Sequence, residues 1–248
     1  MAARTDHDER TDVEEPAPVP RRRGSGRLAM AVSVFGELLI TTGLVLGLFV
    51  VYSLWWTNVV ADRAADKQGD KVRDNWAEAD TGPGALDTKN GVGFLHVPAM
   101  KNGEVLVEKG TSSKVLNDGV AGYYTDPVKS PLPTSDKNGN FTLAAHRDGH
   151  GAKFHNIDKL KKGDSIVYET KDNWYVYKVY AILPETSKYN VKVLQSVPKQ
   201  SGKTKPGHYI TLTTCTPVYT SRYRYVVWGE LERVDKVDSD RTPPKELS

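Results

Sequence analysis

One cysteine occurs in this chain of 248 residues, Cys215, in the run Tyr209-Ile210-Thr211-Leu212-Thr213-Thr214-Cys215-Thr216-Pro217. A β-branched segment of this kind favours a strand, and Pro217, lacking an N–H, cannot extend the ladder. The thiol is therefore expected at a strand end, rigidly held and open to solvent. Thr211 and Thr213 share its side of the strand and make a poor core face. That argues against the ordinary fate of a free cysteine, burial as a small apolar side chain. A thiol with a reference pKa of about 8.5 is mostly protonated at neutral pH, so nucleophilic chemistry requires a base or ion-pair partner.

The chain offers 6 histidines for that part. His146 follows Phe141-Thr142-Leu143-Ala144-Ala145 and precedes Arg147-Asp148-Gly149-His150-Gly151, so it too is expected at a strand end, beside a loop. His96 and His208 fall within or at the start of strands, His150 and His155 read as surface neighbours, and His7 lies in the N-terminal tail. Acyl transfer through a thiol also needs a donor for the oxyanion of the tetrahedral intermediate. Arg222 and Arg224, in Ser221-Arg222-Tyr223-Arg224-Tyr225-Val226-Val227-Trp228, stand two apart and would share one face of a strand. Spacing alone does not choose between them.

The elements that must position these groups are short. Strands are expected at Gly93–Val97, Glu104–Glu108, Phe141–Ala145, Ser165–Glu169, Trp174–Leu183, Tyr209–Thr213 and Arg222–Glu230, separated by turns such as Lys101-Asn102-Gly103 and Lys162-Gly163-Asp164. Brief helical pieces fit around Lys153–Leu160 and Val191–Ser196. This pattern predicts an all-β barrel or sandwich with short helices. No phosphate-binding glycine loop, CxxC or HExxH occurs, so ATP and zinc chemistry have no footing. Asp148, Asp158 and Asp164 lack calcium-loop spacing, and neither metal nor cofactor is expected. A net charge of +3, with Arg21, Arg22, Arg23 and Arg27 as its local source, argues against nucleic acid as a partner.

The flanks read differently. Residues 1–27 are rich in Asp, Glu, Arg and Pro and are expected to be a disordered cytoplasmic tail. Residues 28–56 form an apolar run ending in Tyr52, Trp55 and Trp56, long enough for a single membrane-spanning helix of about 20 residues. The four preceding arginines place the N-terminus in the cytoplasm and the remainder outside. Residues 57–90, with the Gly82-Pro83-Gly84 break, read as an extracytoplasmic stalk. Residues 91–234 are the expected catalytic domain, and 235–248 a charged disordered tail.

Thr211-Leu212-Thr213-Thr214-Cys215 followed by Arg224-Tyr225-Val226-Val227 resembles the TLxTC…R signature of sortases, and Ala145-His146-Arg147-Asp148-Gly149 resembles the stretch holding that family's histidine. The resemblance covers about residues 91–234. It implies an eight-stranded sortase β-barrel with Cys215 as nucleophile and His146 as proton carrier. It also selects Arg224, the arginine before Tyr-Val-Val, over Arg222. The implied activity is transpeptidation: cleavage of an LPxTG-like sorting signal between Thr and Gly through a Cys215 thioacyl-enzyme, then transfer to an amine. The implied partners are secreted proteins bearing that signal and a peptidoglycan-precursor (lipid II-like) amine of a Gram-positive cell wall. Thr216-Pro217, the short Cys-to-Arg spacing and the single N-terminal anchor are most similar to class E sortases of actinobacteria, which are associated with LAxTG. Tyr123 and Tyr124 are candidates for that preference, with Thr213 beside them on the substrate face. Two rivals differ in class. An L,D-transpeptidase would carry a His-Gly-Cys cluster that is absent here, and a tethered wall-binding module would leave Cys215 incidental.

Overall fold

The computed structural model describes residues 26–78, 92–135 and 137–248; the N-terminal tail up to residue 25 and the Gly82-Pro83-Gly84 break lie outside them. Among the described residues there are eight strands: β1 Gly93–His96, β2 Glu104–Lys109, β3 Ala121–Tyr123, β4 Gly139–Ala144, β5 Ser165–Glu169, β6 Asn173–Ser187, β7 His208–Thr216 and β8 Tyr223–Lys236. They close into a barrel in the order β1-β2-β3-β4-β7-β8-β6-β5. Two neighbouring pairs, β2–β3 and β4–β7, run parallel. Closure gives every strand a neighbour on both sides. The strand missed from sequence is β3, whose three residues include Gly122 and are too few to display an alternation.

Period-2 alternation decides what faces inward. Leu143, Ile210, Leu212, Val227, Tyr168 and Tyr177 fill the barrel and are almost fully buried. The opposite faces of β4, β7, β8 and β6 are not simply solvent-exposed. Val226 and Trp228 pack under Val193 and Leu194 of the long β6–β7 connection, with Tyr124 and Leu183 alongside. The Trp228 indole N–H donates to the Val193 carbonyl (3.0 Å), and Asn140 Nδ2 donates to the Gln195 carbonyl (3.0 Å). These bonds pin that connection as the wall of an external groove.

One continuous helix, α1, covers Arg27–Glu78, and the chain divides into a unit up to Phe49 and a second from Val50 onward. In the first unit α1 carries exposed Leu, Val, Ile and Phe side chains, and it is long and apolar enough to cross a membrane. In the second, the stretch expected as a stalk is helical up to Glu78 and lies on the barrel. Ala65 and Val72 pack with Phe94, Leu106 and Val120, and Trp76 stands edge-on to Phe94 at 5.4 Å. Small residues at helical spacing (Ala61, Ala65, Gly69) permit this close approach; a Cβ on Gly69 would sit 3.3 Å from the Phe94 ring. Such a stripe of small side chains does not stand out as an apolar face in the sequence.

The C-terminal tail also departs from expectation. Strand β8 extends to Lys236, and the Glu246 carboxylate accepts two bonds from Arg233 (2.9 and 2.6 Å). Arg241 binds Glu169 and the Thr170 and Lys171 carbonyls. Residues 235–248 are therefore docked rather than disordered. The charges that read as solvation find counter-charges on the barrel, the partly exposed Arg233 and the buried Glu169.

Candidate active site

Three strand ends build the site. β4 and β7 run in register from Gly139↔His208 to Ala144↔Thr213. The pairing then continues for one further residue, through Ala145 N–H to the Thr213 carbonyl (3.4 Å) and Thr214 Oγ1 to the Ala145 carbonyl (2.7 Å). The next residue on each strand is His146 and Cys215, on strands spaced about 5 Å apart. On the other side β7 pairs antiparallel with β8, and Cys215 stands opposite Arg224. Arg222 falls before β8 begins and lies over the neighbouring Tyr223 ring at 5.1 Å. Register thus separates the two arginines that spacing could not.

Cys215 is free and partly exposed, whereas Tyr209–Thr214 before it and Thr216 after it are buried. His146 is also partly exposed. One ring nitrogen, Nε2, is 2.9 Å from Asn117 Oδ1, so in the neutral ring that nitrogen carries the proton and Nδ1 is left as acceptor. Burial lowers the His146 pKa below its usual value, and the charge of His150, whose ring lies 5.3 Å away, lowers it further against the opposing pull of Asp148. Burial and the neighbouring ring thus both favour the neutral imidazole. Arg224 donates through Nη1 to the Ser221 (3.1 Å) and Tyr223 (2.9 Å) carbonyls, which fixes the guanidinium at the groove edge.

The three residues expected to touch substrate separate clearly. Tyr124 lies over the groove floor, its hydroxyl 3.1 Å from Thr213 Oγ1. Burial raises its pKa, against the lowering effect of the Thr213 bond and the Arg224 charge. Tyr123 instead points inward and is a core residue, 6.3 Å from the Phe141 ring; a strand turns adjacent residues to opposite faces. Thr213 is only 3 % exposed, and its hydroxyl is committed to Tyr124 and the Leu143 carbonyl. It supports Tyr124 from beneath. A cavity of about 560 Å³, lined by Ser130, Asn140, Leu194, Gln195 and Lys199 among others, continues the same outer face toward the far end of β4.

Two residues were missed from sequence. Asn117, at the end of the short helix α2 (Ser113–Leu116), is remote in sequence from every motif. Arg147 adjoins His146 but points the other way and is buried. It donates to the Cys215 carbonyl (3.4 Å), Thr216 Oγ1 (2.9 Å) and Asp158 (3.1 Å), tying the histidine loop to the nucleophile strand. Its position beside His146 was the one available signal. Asp148, Asp158 and Asp164 are separately engaged, by the Tyr219 N–H, by Arg147 and by the Lys161 N–H. Elsewhere His96, Glu104 and Glu169 bring ligand atoms within 4.8 Å of one another, but the Arg73 guanidinium binds both carboxylates and occupies the place of a cation.

A cysteine, a histidine and an arginine stand at neighbouring strand ends of a closed eight-stranded barrel, an arrangement that fits a cysteine acyl-transferase. Residues 95–232 match the sortase domain model, and the chain belongs to the sortase family of transpeptidases. It is 73 % identical to sortase SrtE2 of Streptomyces coelicolor across the whole of both chains. It is 47 % identical to SrtE1 of the same organism over 85 % of this chain and 60 % of that one. A crystal structure of S. coelicolor sortase E1 with a tripeptide in the active site superposes with a TM-score of 0.60 at 47 % identity, covering 64 % of this chain and 96 % of the other. Sortase E of Streptomyces avermitilis gives 0.55 at 30 % identity, over 64 % of this chain and 97 % of its own. These relatives make the chain a class E sortase.

Proposed function

We propose that Cys215, His146 and Arg224 are the catalytic residues, and that the substrate is a secreted protein carrying an LAxTG-like or LPxTG-like sorting signal. The reading is carried by register: Cys215 faces Arg224 across β7–β8 and ends the strand parallel to the one that leads into His146. The Cys215 thiol gives its proton to Nδ1 of the neutral His146, and Sγ bonds to the threonine carbonyl carbon. Arg224 donates to the oxyanion that forms. The C–N bond to glycine then breaks, the departing amine takes the proton from His146, and a thioester remains. An incoming amine of a peptidoglycan precursor attacks the thioester and gives a proton to His146; the C–S bond breaks as the new amide forms, and His146 returns the proton to Cys215 Sγ. Tyr124, beside Thr213 on the groove floor, contacts the residue after leucine in the signal. The N-terminal helix anchors the enzyme with the catalytic domain outside the cell.

The test uses the full chain in detergent micelles with LAxTG and LPxTG peptides and a glycine-based amine. Mass spectrometry of the parent should detect an acyl adduct on Cys215 that passes to the amine, whereas Cys215→Ala should give neither adduct nor product. Folded parent protein that forms no adduct with either peptide overturns the reading.

A further inference from the structure

The loop after His146 has an uncommon backbone. Gly149, His150, Gly151 and Ala152 all have positive φ (64°, 47°, 77° and 41°), and two of the four carry a Cβ that disfavours this region. Such a conformation persists only where its surroundings over-determine it. Those surroundings include α1. Asn58 Oδ1 accepts from the Gly151 N–H (2.9 Å), and Asp62 pairs with Lys153 (2.9 Å). The fit is close enough that a Cβ on Gly151 would stand 2.9 Å from Asp62 Oδ1.

The same turn of helix touches the other support of the histidine. Gly119, two residues beyond Asn117, has φ +76°, and a Cβ there would meet the Ala61 carbonyl oxygen at 2.8 Å. Asn117 in turn binds His146 Nε2, and His150 brings its ring beside His146. One helical turn, beginning two residues after Trp56, therefore holds both segments that fix the imidazole.

We propose that Asn58 and Asp62 are positioning residues for the transpeptidase reaction: the first turn of α1 beyond the apolar stretch sets the orientation of His146 through the 149–152 loop and the Asn117–Gly119 segment. This rests on the catalytic role given above to His146. It makes the anchor helix part of the catalytic apparatus rather than a tether, so acyl transfer depends on the juxtamembrane turn being folded against the barrel.

The experiment compares the full-length parent with Asn58→Ala/Asp62→Ala, with Lys153→Asp, and with the charge swap Asp62→Lys/Lys153→Asp, all in lipid nanodiscs. Parent turnover of the sorting peptide tests the transpeptidase reading by itself; differences among variants test this one. The double alanine variant should lose about 10-fold in kcat, with KM for the peptide within about twofold, as expected when a reacting group is misplaced without loss of binding. Its melting temperature should stay near that of the parent, and the acid limb of its kcat/KM profile should move because the setting of the imidazole has changed. Lys153→Asp alone should lose activity, and the swap should recover most of it. A double variant matching the parent in kcat and pH profile overturns the proposal. So does a swap no better than Lys153→Asp, a comparison that stands even where the alanine variant fails to fold.

Discussion

At the residue scale, the site works through small differences in what each side chain touches. Asn117 offers a neutral oxygen to His146 Nε2 at 2.9 Å, which sets the tautomer without adding charge. Asn117→Asp would place a carboxylate there and favour the imidazolium, raising the His146 pKa. Because that pKa begins below its usual value, the acid limb of kcat/KM should move to higher pH, whereas Asn117→Ala should lower kcat and leave peptide KM nearly unchanged. Steady-state profiles between pH 5 and 9 check both. Tyr124 is the residue at which selectivity should respond. Tyr124→Ala should change the ratio of kcat/KM for Ala and Pro signals by roughly tenfold, the scale of about 1 to 2 kcal/mol for one pocket contact. Tyr123→Ala should cost stability instead, by about 3 to 5 kcal/mol for a large core side chain, and leave that ratio unmoved. Competition between the two peptides, with thermal melts in parallel, separates the outcomes.

At the element scale, one buried carboxylate joins three pieces of the fold. Glu169 on β5 is 1 % exposed and receives Arg73 from α1, Arg241 from the C-terminal segment and His96 from β1. Arg73 and Arg241 also flank the Trp76 ring, at 5.7 and 4.8 Å. Burial alone would raise the pKa of Glu169; the bonds from His96, Arg73 and Arg241 outweigh it and hold the value at about 2, against 4.5 for a free glutamate. A depressed folded-state pKa contributes stability that is present above about pH 4.5 and is lost as pH falls toward 2. The size is about 3 kcal/mol for a shift of this order. Glu169→Gln should therefore flatten the fall in melting temperature across that window relative to the parent. It should also loosen α1 and the C-terminal segment at neutral pH, measurable as faster proteolysis near residues 73 and 241.

At the scale of the whole molecule, α1 is exposed and apolar in one unit and docked on the barrel in the other. With Arg21, Arg22, Arg23 and Arg27 ahead of the apolar stretch, protease added to intact cells should remove the barrel and spare an N-terminal tag. Survival of the barrel would reverse the assigned orientation. Much of this architecture was legible in the sequence, because alternation, turn residues and a charge-free run of membrane length are local signals. The order histidine, cysteine, arginine was equally legible, since strand ends announce themselves through Pro217 and the glycines after His146. What lay beyond local signals were the partners. Asn117 and His146 are 29 residues apart, Arg73 and Glu169 are 96 apart, and the helix contacts on Gly119 and Gly151 bridge comparable distances. Sequence by itself determined the chemistry available, the family it serves and the strands that carry it, because these depend on residue type and near spacing. The resemblance had already picked Arg224 over Arg222; only the tertiary structure supplied the reason in the β7–β8 register, turned Tyr123 into the core and Tyr124 outward, and docked the supposed stalk and tail. Those outcomes depend on strand register and on counter-charges brought together by barrel closure, which no short window of sequence contains.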